Sequence, residues 1–276
     1  MAHTLETLEI VPAPLRTVSH GGGVQTTALL VLAAEGKIDY RTFIFANVGE
    51  DSEHPGTLRY LEQIARPYAS AHGIDIIEVR RPDGETVRGR IESSESGGVP
   101  IPLHVPPAGF KRWRSCTREF KIEPIRHWLI EHGASADNPA TVAVGISLDE
   151  IHRANNRKAE PFERLDYPLL DLGLRRRDCQ DIIRAAGLPL PGKSSCYFCP
   201  FQRTEQWRSM RRHEPELFAS VADLEEGLNR RRLAAGKDPV FLSLALRPLA
   251  EAFTDNQMVF EEVDSDPHCD NGWCMT

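Results

Sequence analysis

The feature that most constrains this chain is a run of three glycines, Gly21-Gly22-Gly23, set between an apolar β-like stretch at 15–19 and an apolar stretch of helical spacing at 26–34. Successive glycines let the backbone take positive φ and let an anion approach with no Cβ in the way, at an entropic cost that a plain connector has no reason to carry. The helix that follows aims its free N–H groups and the positive end of its dipole at the same point. Strand, glycine turn and helix in that order describe a phosphate site. No Walker lysine follows and the GxGxxG spacing is absent, which sets aside the P-loop and the dinucleotide fingerprint.

The next segments repeat the alternation. Residues 41–47 (containing TFIFAN) read as a strand, 55–71 as a helix with Leu58, Leu61, Ile64 and Ala65 on one face and Gly73 after it, and 74–79 (IDIIEV) as a third strand. This β-α-β-α-β order predicts a Rossmann-like α/β fold, a parallel sheet covered by helices. Between 81 and 107 the periodicity gives way to Gly, Ser and Pro, and a loop of that length in a compact domain points to function. A helix at 122–132, a strand at 140–145 and a helix at 178–186 follow, and 202–252 carries helical spacing without strand signals. The expected organisation is a nucleotide-binding domain over 1–175 and a mostly helical region over 176–276.

The 276 residues carry a formal net charge of -7, so a polyanion would be met only through local basic patches. Arginine clusters at 175–177, 208–212 and 230–232 read as solvated helix faces, whereas Lys111, Arg112 and Arg114 flank Trp113, a ring that suits stacking on an exposed base. The first twenty residues lack the signature of a secretory signal, and no apolar run approaches the roughly 18–20 residues that span a bilayer. The expected compartment is the cytoplasm, with no membrane partner. In a reducing compartment the six cysteines (Cys116, Cys179, Cys196, Cys199, Cys269, Cys274) are expected as metal ligands, redox groups or buried thiols, not disulfides. The pair Cys196-x-x-Cys199 suits zinc, an iron–sulfur cluster or redox chemistry alike. Cys179 reads as a plain helix residue, and the tail holding Cys269 and Cys274 has acidic flanks that disfavour thiolates.

Four segments together resemble a known family. The turn Ser19-His20-Gly21-Gly22-Gly23-Val24-Gln25-Thr26 is similar to the PP-loop of the adenine-nucleotide α-hydrolase superfamily, and within it to the phosphoadenosine-phosphosulfate reductase branch, where Gln often replaces the usual Asp, as Gln25 does here. Ala46-Asn47-Val48-Gly49-Glu50, with Glu53, His54, Pro55 and Thr57 after it, is similar to the second-strand motif. Cys116 to Ile125 is similar to the CCxxxKxxPL motif with Thr117 in place of the second cysteine, and Lys193 to Phe201 to the downstream CxxC. The resemblance spans roughly 15–201.

The resemblance implies a HUP-type sheet with the nucleotide across the carboxyl ends of its strands. It places Ser19, His20, Gly21, Gly22, Gly23, Gln25 and Thr26 around the phosphates, Ala46, Asn47, Val48 and Gly49 near the adenosine, and Gly145 at the start of a later motif. From that motif Asp149, Glu150 and Arg153, with Lys121, would serve catalysis; the alternative for the first three is ordinary helix-surface pairing. Cys116, Cys196 and Cys199 would hold a [4Fe–4S] cluster with one open iron, zinc being the alternative, and Cys179, Cys269, Cys274 or a histidine such as His20 would be the candidate fourth ligands. The implied activity is an ATP- and Mg²⁺-dependent, adenylating sulfurtransferase acting on a base in tRNA or DNA or on a small heterocycle, with an unspecified sulfur donor. Reduction of adenylylsulfate or its 3'-phosphate is the second reading, although the tail lacks the Glu-Cys-Gly-Leu-His motif of that chemistry. A non-catalytic nucleotide sensor is the third.

Overall fold

The computed structural model of the chain describes residues 14–106, 109–111, 114–154 and 159–254. Its centre is a five-stranded sheet, every pairing in it parallel. The first half of the chain lays down β1 (Arg16–Ser19), α1 (Val24–Ala34), β2 (Thr42–Ala46), α2 (Pro55–Tyr60), α3 (Arg66–Ala71) and β3 (Asp75–Val79). After α4 (Val87–Ser93), the two-stranded ribbon β4 (Leu103–Val105) and β5 (Gly109–Lys111), and α5 (Glu123–Glu131), the sheet resumes with β6 (Ala140–Val144) and β7 (Glu163–Asp166). The strand order is β3-β2-β1-β6-β7, with Val18 of β1 in register with Phe43 on one side and Ala143 on the other. The direction of winding reverses between β1 and β6, the place where open α/β sheets bind ligands. The fold class expected from the sequence, a Rossmann-like parallel sheet under helices, is the one observed.

Strand β2 shows why these segments read as continuous apolar runs. Phe43 and Phe45 pack into one core with α1, α2, α3 and a later helix, whereas Ile44 and Ala46 pack into another beneath α5, so both faces of the strand are out of water. Helix α1 is buried almost all round because it lies between the sheet and α7 (Arg176–Ala185), which follows the short α6 (Pro168–Asp171).

The expected helix at 55–71 is present as α2 and α3 joined through a π-helical turn at Leu61–Ala65. Two elements escaped the periodicity reading. Helix α4 lies inside the Gly- and Ser-rich stretch: Thr86 caps it by accepting from the Gly89 N–H at 2.9 Å, and Val87 and Ile91, one turn apart, are its buried residues. Two apolar positions are too few to stand out. Strand β7 reads Glu-Arg-Leu-Asp; it lies at the edge of the sheet, and its first residue, Glu163, is buried against Arg126, Nη2 to Oε1 at 2.6 Å.

A third core joins α4, β4 and the 197–198 segment to α8 (Thr204–His213), α9 (Pro215–Ala234) and α10 (Leu249–Ala252). It draws on both sides of the division expected at 175: Val48, Val87, Ile91 and Phe120 pack with Trp207, Phe218 and Leu228, while α7 belongs to the core of the sheet. Among the described residues no helix is long and apolar enough to cross a membrane.

Within this third core Glu225 of α9 is buried, and its two carboxylate oxygens accept from the backbone N–H groups of Leu242 and Leu249, each at 2.7 Å. Burial pushes its pKa up from 4.5 to about 7, against the lowering effect of those two N–H groups. A raised folded-state pKa in an acid means that the folded form holds the proton more tightly, so stability falls as pH rises from about 4.5 through about 7. Urea unfolding of the wild type should lose on the order of 2–3 kcal/mol over that window through this group. Glu225→Gln should be less stable at pH 5, because one N–H loses its acceptor, yet show a flatter pH dependence. Parallel slopes for the two proteins would show that Glu225 is not the titrating group.

Candidate nucleotide and thiol site

The glycine turn leaves β1 at Ser19 and reaches the N-terminus of α1 at Gly23. Of the three glycines only Gly22 needs the left-handed region, at φ 71°. Gly23 is extended, at φ -99°, and is needed for a different reason: a Cβ there would stand 2.7 Å from Ser194 Oγ, while one on Gly22 would stand 2.8 Å from Thr57 Cγ2. With glycine at the N-cap no side chain caps α1, and the first-turn N–H groups face the end of the sheet. Thr26 is buried, and its hydroxyl donates back to Gly23 O at 3.2 Å.

His20 continues the strand, its N–H donating to Ile44 O, and its ring meets Phe43 edge-on at 5.7 Å. Burial, helped by the charge of Arg66, lowers its pKa to about 4, so the ring is neutral near pH 7. Ser19, His20, Gly21 and Ala46 line a pocket together with Thr117 and Lys121.

Across the switch point, Gly145 follows β6, and a Cβ there would stand 2.8 Å from Thr26 Cγ2 and 3.3 Å from Thr26 N. The chain then forms a 3-10 turn, Leu148–Arg153, that holds Gln25. The Gln25 amide donates to Glu150 Oε2 at 3.2 Å, and its oxygen accepts from Arg176 Nη1 at 2.9 Å. Glu150 also receives Arg153 Nη1 at 2.7 Å, and Arg153, 5% exposed, keeps Nε and Nη2 buried without a partner. Asp149 is exposed and receives the backbone N–H of Arg176 at the start of α7. The structure thus gives Glu150 and Asp149 positioning contacts, and brings Arg176 to the turn. Arg176 lies in the arginine triplet that reads from sequence as a solvated face; only tertiary structure lays Gln25 beside it.

The loop after β2 is held by its own side chains. The Asn47 side chain bonds Glu78, Glu50 and the Gly49 N–H, and Gly49, at φ 119°, leaves room for Asp51 and Thr86, which would lie 2.5 and 2.6 Å from a Cβ. Val48 is buried, its carbonyl accepting from the Val87 N–H, and it lines the thiol cavity. Beyond this loop Glu53 and Cys196 form an antiparallel bridge, flanked by His54 N–H to Ser195 O and Tyr197 N–H to Ser52 O, each 3.1 Å.

Cys116, Cys196 and Cys199 therefore come together on the wall of one cavity, with Arg114, Thr117 and Lys121 beside them, although 80 residues of chain separate the first from the second. Burial pushes the Cys116 thiol up, while Arg114 and Lys121 pull it back toward the thiolate. Arg114 also lies over the Phe201 ring at 5.2 Å. Lys121 sits on a π-helical turn, Arg118–Ile122, a distortion common at functional sites. Three soft thiols with two cations beside them suit a cluster or zinc in donor type. Among the described residues no three Cys, His, Asp or Glu side chains already stand at metal-binding distances.

Cys179 takes no part: it is fully buried on α7 in the core under α1, and burial raises its pKa to about 12. The other candidate fourth ligand among the described residues, His20, lines the glycine-turn pocket and not the thiol cavity. Arg112, Trp113, Cys269 and Cys274 lie outside the described residues.

The two glycines should fail differently when substituted. Gly23→Ala should weaken ATP binding and lower the melting temperature, and adding Ser194→Ala should restore both, because the Ser194 Cβ lies at an ordinary 3.7 Å. Gly22→Ala should not be rescued by any change at 194, since its left-handed backbone alone costs about 1–2 kcal/mol. Calorimetric titration with ATP and thermal melts of the four proteins check both statements.

No family model matches this chain, and no curated protein matches it. Among solved structures it is similar to the U34-tRNA thiolase NcsA from Methanococcus maripaludis with its [4Fe–4S] cluster, at 14% identity over 80% of this chain and 74% of that one, with a TM-score of 0.41. At that overlap no residue role passes from one chain to the other.

Proposed function

We propose that this chain is a cytoplasmic, PP-loop, ATP-dependent sulfurtransferase that adenylates an oxygen of a nucleobase or related heterocycle and then replaces it with sulfur. One observation carries the reading: Thr117 and Lys121 line both the glycine-turn pocket and the cavity of Cys116, Cys196 and Cys199. A phosphate-bearing group on one side and a sulfur-bearing group on the other would meet across a single lysine.

In this reading the ATP phosphates lie against Gly21, Gly22, Gly23 and the uncapped start of α1, with Mg²⁺ accompanying them. Arg153 turns its unused guanidinium nitrogens to the phosphate oxygens. Gln25 and Glu150 hold that arginine and Arg176 in place. Asp149 anchors the start of α7. The acceptor oxygen attacks the α-phosphate and pyrophosphate leaves, while Lys121 offsets the negative charge that develops. The leaving group for the second step is then adenylate, a far better one than hydroxide. The three thiols would hold the [4Fe–4S] cluster, or zinc in the alternative. When bound, such a cluster supplies a coordination position for a sulfur species. The base itself, in tRNA, DNA or a free heterocycle, would approach from the side of Arg114.

Anaerobically prepared protein should release AMP and pyrophosphate in equal amounts only when the right acceptor is present. Lys121→Met should lower the rate of pyrophosphate release by about 10²–10³, the usual loss for one transition-state donor, with little change in ATP affinity. Cys196→Ala should keep pyrophosphate release and lose sulfur incorporation into the acceptor, read by mass spectrometry. Release of sulfite from adenylylsulfate or its 3'-phosphate, with ATP inert, would replace this reading by the reductase one.

A further inference from the structure

Of the fourth donors that the sequence offers, Cys179 and His20 stand elsewhere, and the structure pairs a carboxylate with no assigned role, Glu53, with Cys196. Glu53 is 0% exposed, and neither of its carboxylate oxygens has a hydrogen-bond partner. The nearest cation is Lys121, Nζ to Oε2 at 3.8 Å, beyond hydrogen-bond length. A carboxylate taken wholly out of water with no donor on either oxygen is strongly unfavourable, and protonation would only leave an O–H without an acceptor. Such a group persists where a cation belongs.

The backbone says which way it faces. The bonds His54 N–H to Ser195 O and Tyr197 N–H to Ser52 O bracket the pair Glu53 and Cys196, which exchange no backbone bond themselves. In an antiparallel pair of that kind the Cα atoms lie about 4.5 Å apart and both side chains leave on the same face. Cys196 lines the thiol cavity, so Glu53 rises behind the same wall, with Lys121 at the cavity edge next to it.

We infer that Glu53 is the fourth protein donor of this site, an oxygen ligand that joins Cys116, Cys196 and Cys199 around a bound metal. The inference rests on the reading of the three thiols as a metal site. A carboxylate is a harder and more weakly held donor to a thiophilic metal than a fourth thiolate. The site would thus be closed at rest to a neutral nitrogen donor and would open only to a sulfur donor, which a thiophilic metal prefers to a carboxylate oxygen, with no thiol lost.

The full chain, prepared metal-free under anaerobic conditions and titrated with cobalt(II), tests this directly, because cobalt reports thiolates by charge-transfer absorption and coordination by its ligand-field bands. The wild type should bind one cobalt with strong charge transfer, and its ligand-field bands should not move when imidazole is added. Glu53→Gln should keep the charge-transfer intensity, bind cobalt about tenfold or more weakly, and shift its ligand-field bands with imidazole. Wild-type bands that shift with imidazole would overturn the inference whether or not the variant folds. So would cobalt affinity in a folded Glu53→Gln within about twofold of wild type, well short of the loss expected at a ligand. If Cys116→Ala, Cys196→Ala and Cys199→Ala all retain full cobalt binding, the thiol site itself is wrong and this inference falls with it. Loss of cobalt in those variants, with Glu53→Gln unchanged, removes Glu53 alone.

Discussion

The arrangement depends on one close approach, that of the segment carrying Ser194 and Cys196 to the glycine turn and to the loop after β2. Ser194 can rest on Gly23 only because no Cβ is there, and Thr57 can rest on Gly22 for the same reason. Two residues later the same segment pairs with Glu53. A side chain at Gly23 would press on the Ser194 hydroxyl, in the segment that carries Cys196 and Cys199. The glycines therefore do two things at once: they leave the start of α1 without a side-chain cap, and they admit the loop that brings the thiols.

The electrostatics are arranged about that seam. Lys121 stands between the two pockets, with Arg114 on the thiol side and Arg153 and Arg176 near Gln25. A chain of net charge -7 thus gathers positive groups along both pockets, and their effect is strongest where burial limits screening. His20, fully inside the pocket wall, stays neutral and adds no charge of its own.

The helical C-terminal region braces this seam from outside. Arg88 of α4 donates to the Tyr197 hydroxyl and to Ser220 Oγ of α9, and Arg231 of α9 reaches back to the carbonyls of Ile91 and Ser94. His54, at the N-terminus of α2, contacts Glu214 at 3.2 Å where α8 passes into α9. These long-range contacts tie Tyr197, inside the CxxC, and His54, before α2, to helices on both sides in sequence.

By itself the sequence determined what local periodicity and backbone stereochemistry can encode. The apolar runs of β1, β2, β3 and β6 follow from burial on both faces, and the turn at Gly21-Gly22-Gly23 follows from the need for a backbone free of Cβ atoms. The spacing of Cys196 and Cys199 is likewise local. Strand β7 stayed hidden because its charged residues are satisfied by partners far along the chain, as Glu163 is by Arg126. Helix α4 stayed hidden because two buried residues and a threonine cap leave little trace. The tertiary structure brought Cys116 to the cavity of the CxxC pair, as the resemblance implied, and it alone decided that Lys121 borders both pockets, that Arg176 reaches Gln25, and that Glu53 is buried beside Cys196 with no hydrogen bond to its carboxylate. Those are contacts between residues 80 to 151 positions apart or between elements with no shared periodicity, and they exist only once the sheet has closed in its β3-β2-β1-β6-β7 order.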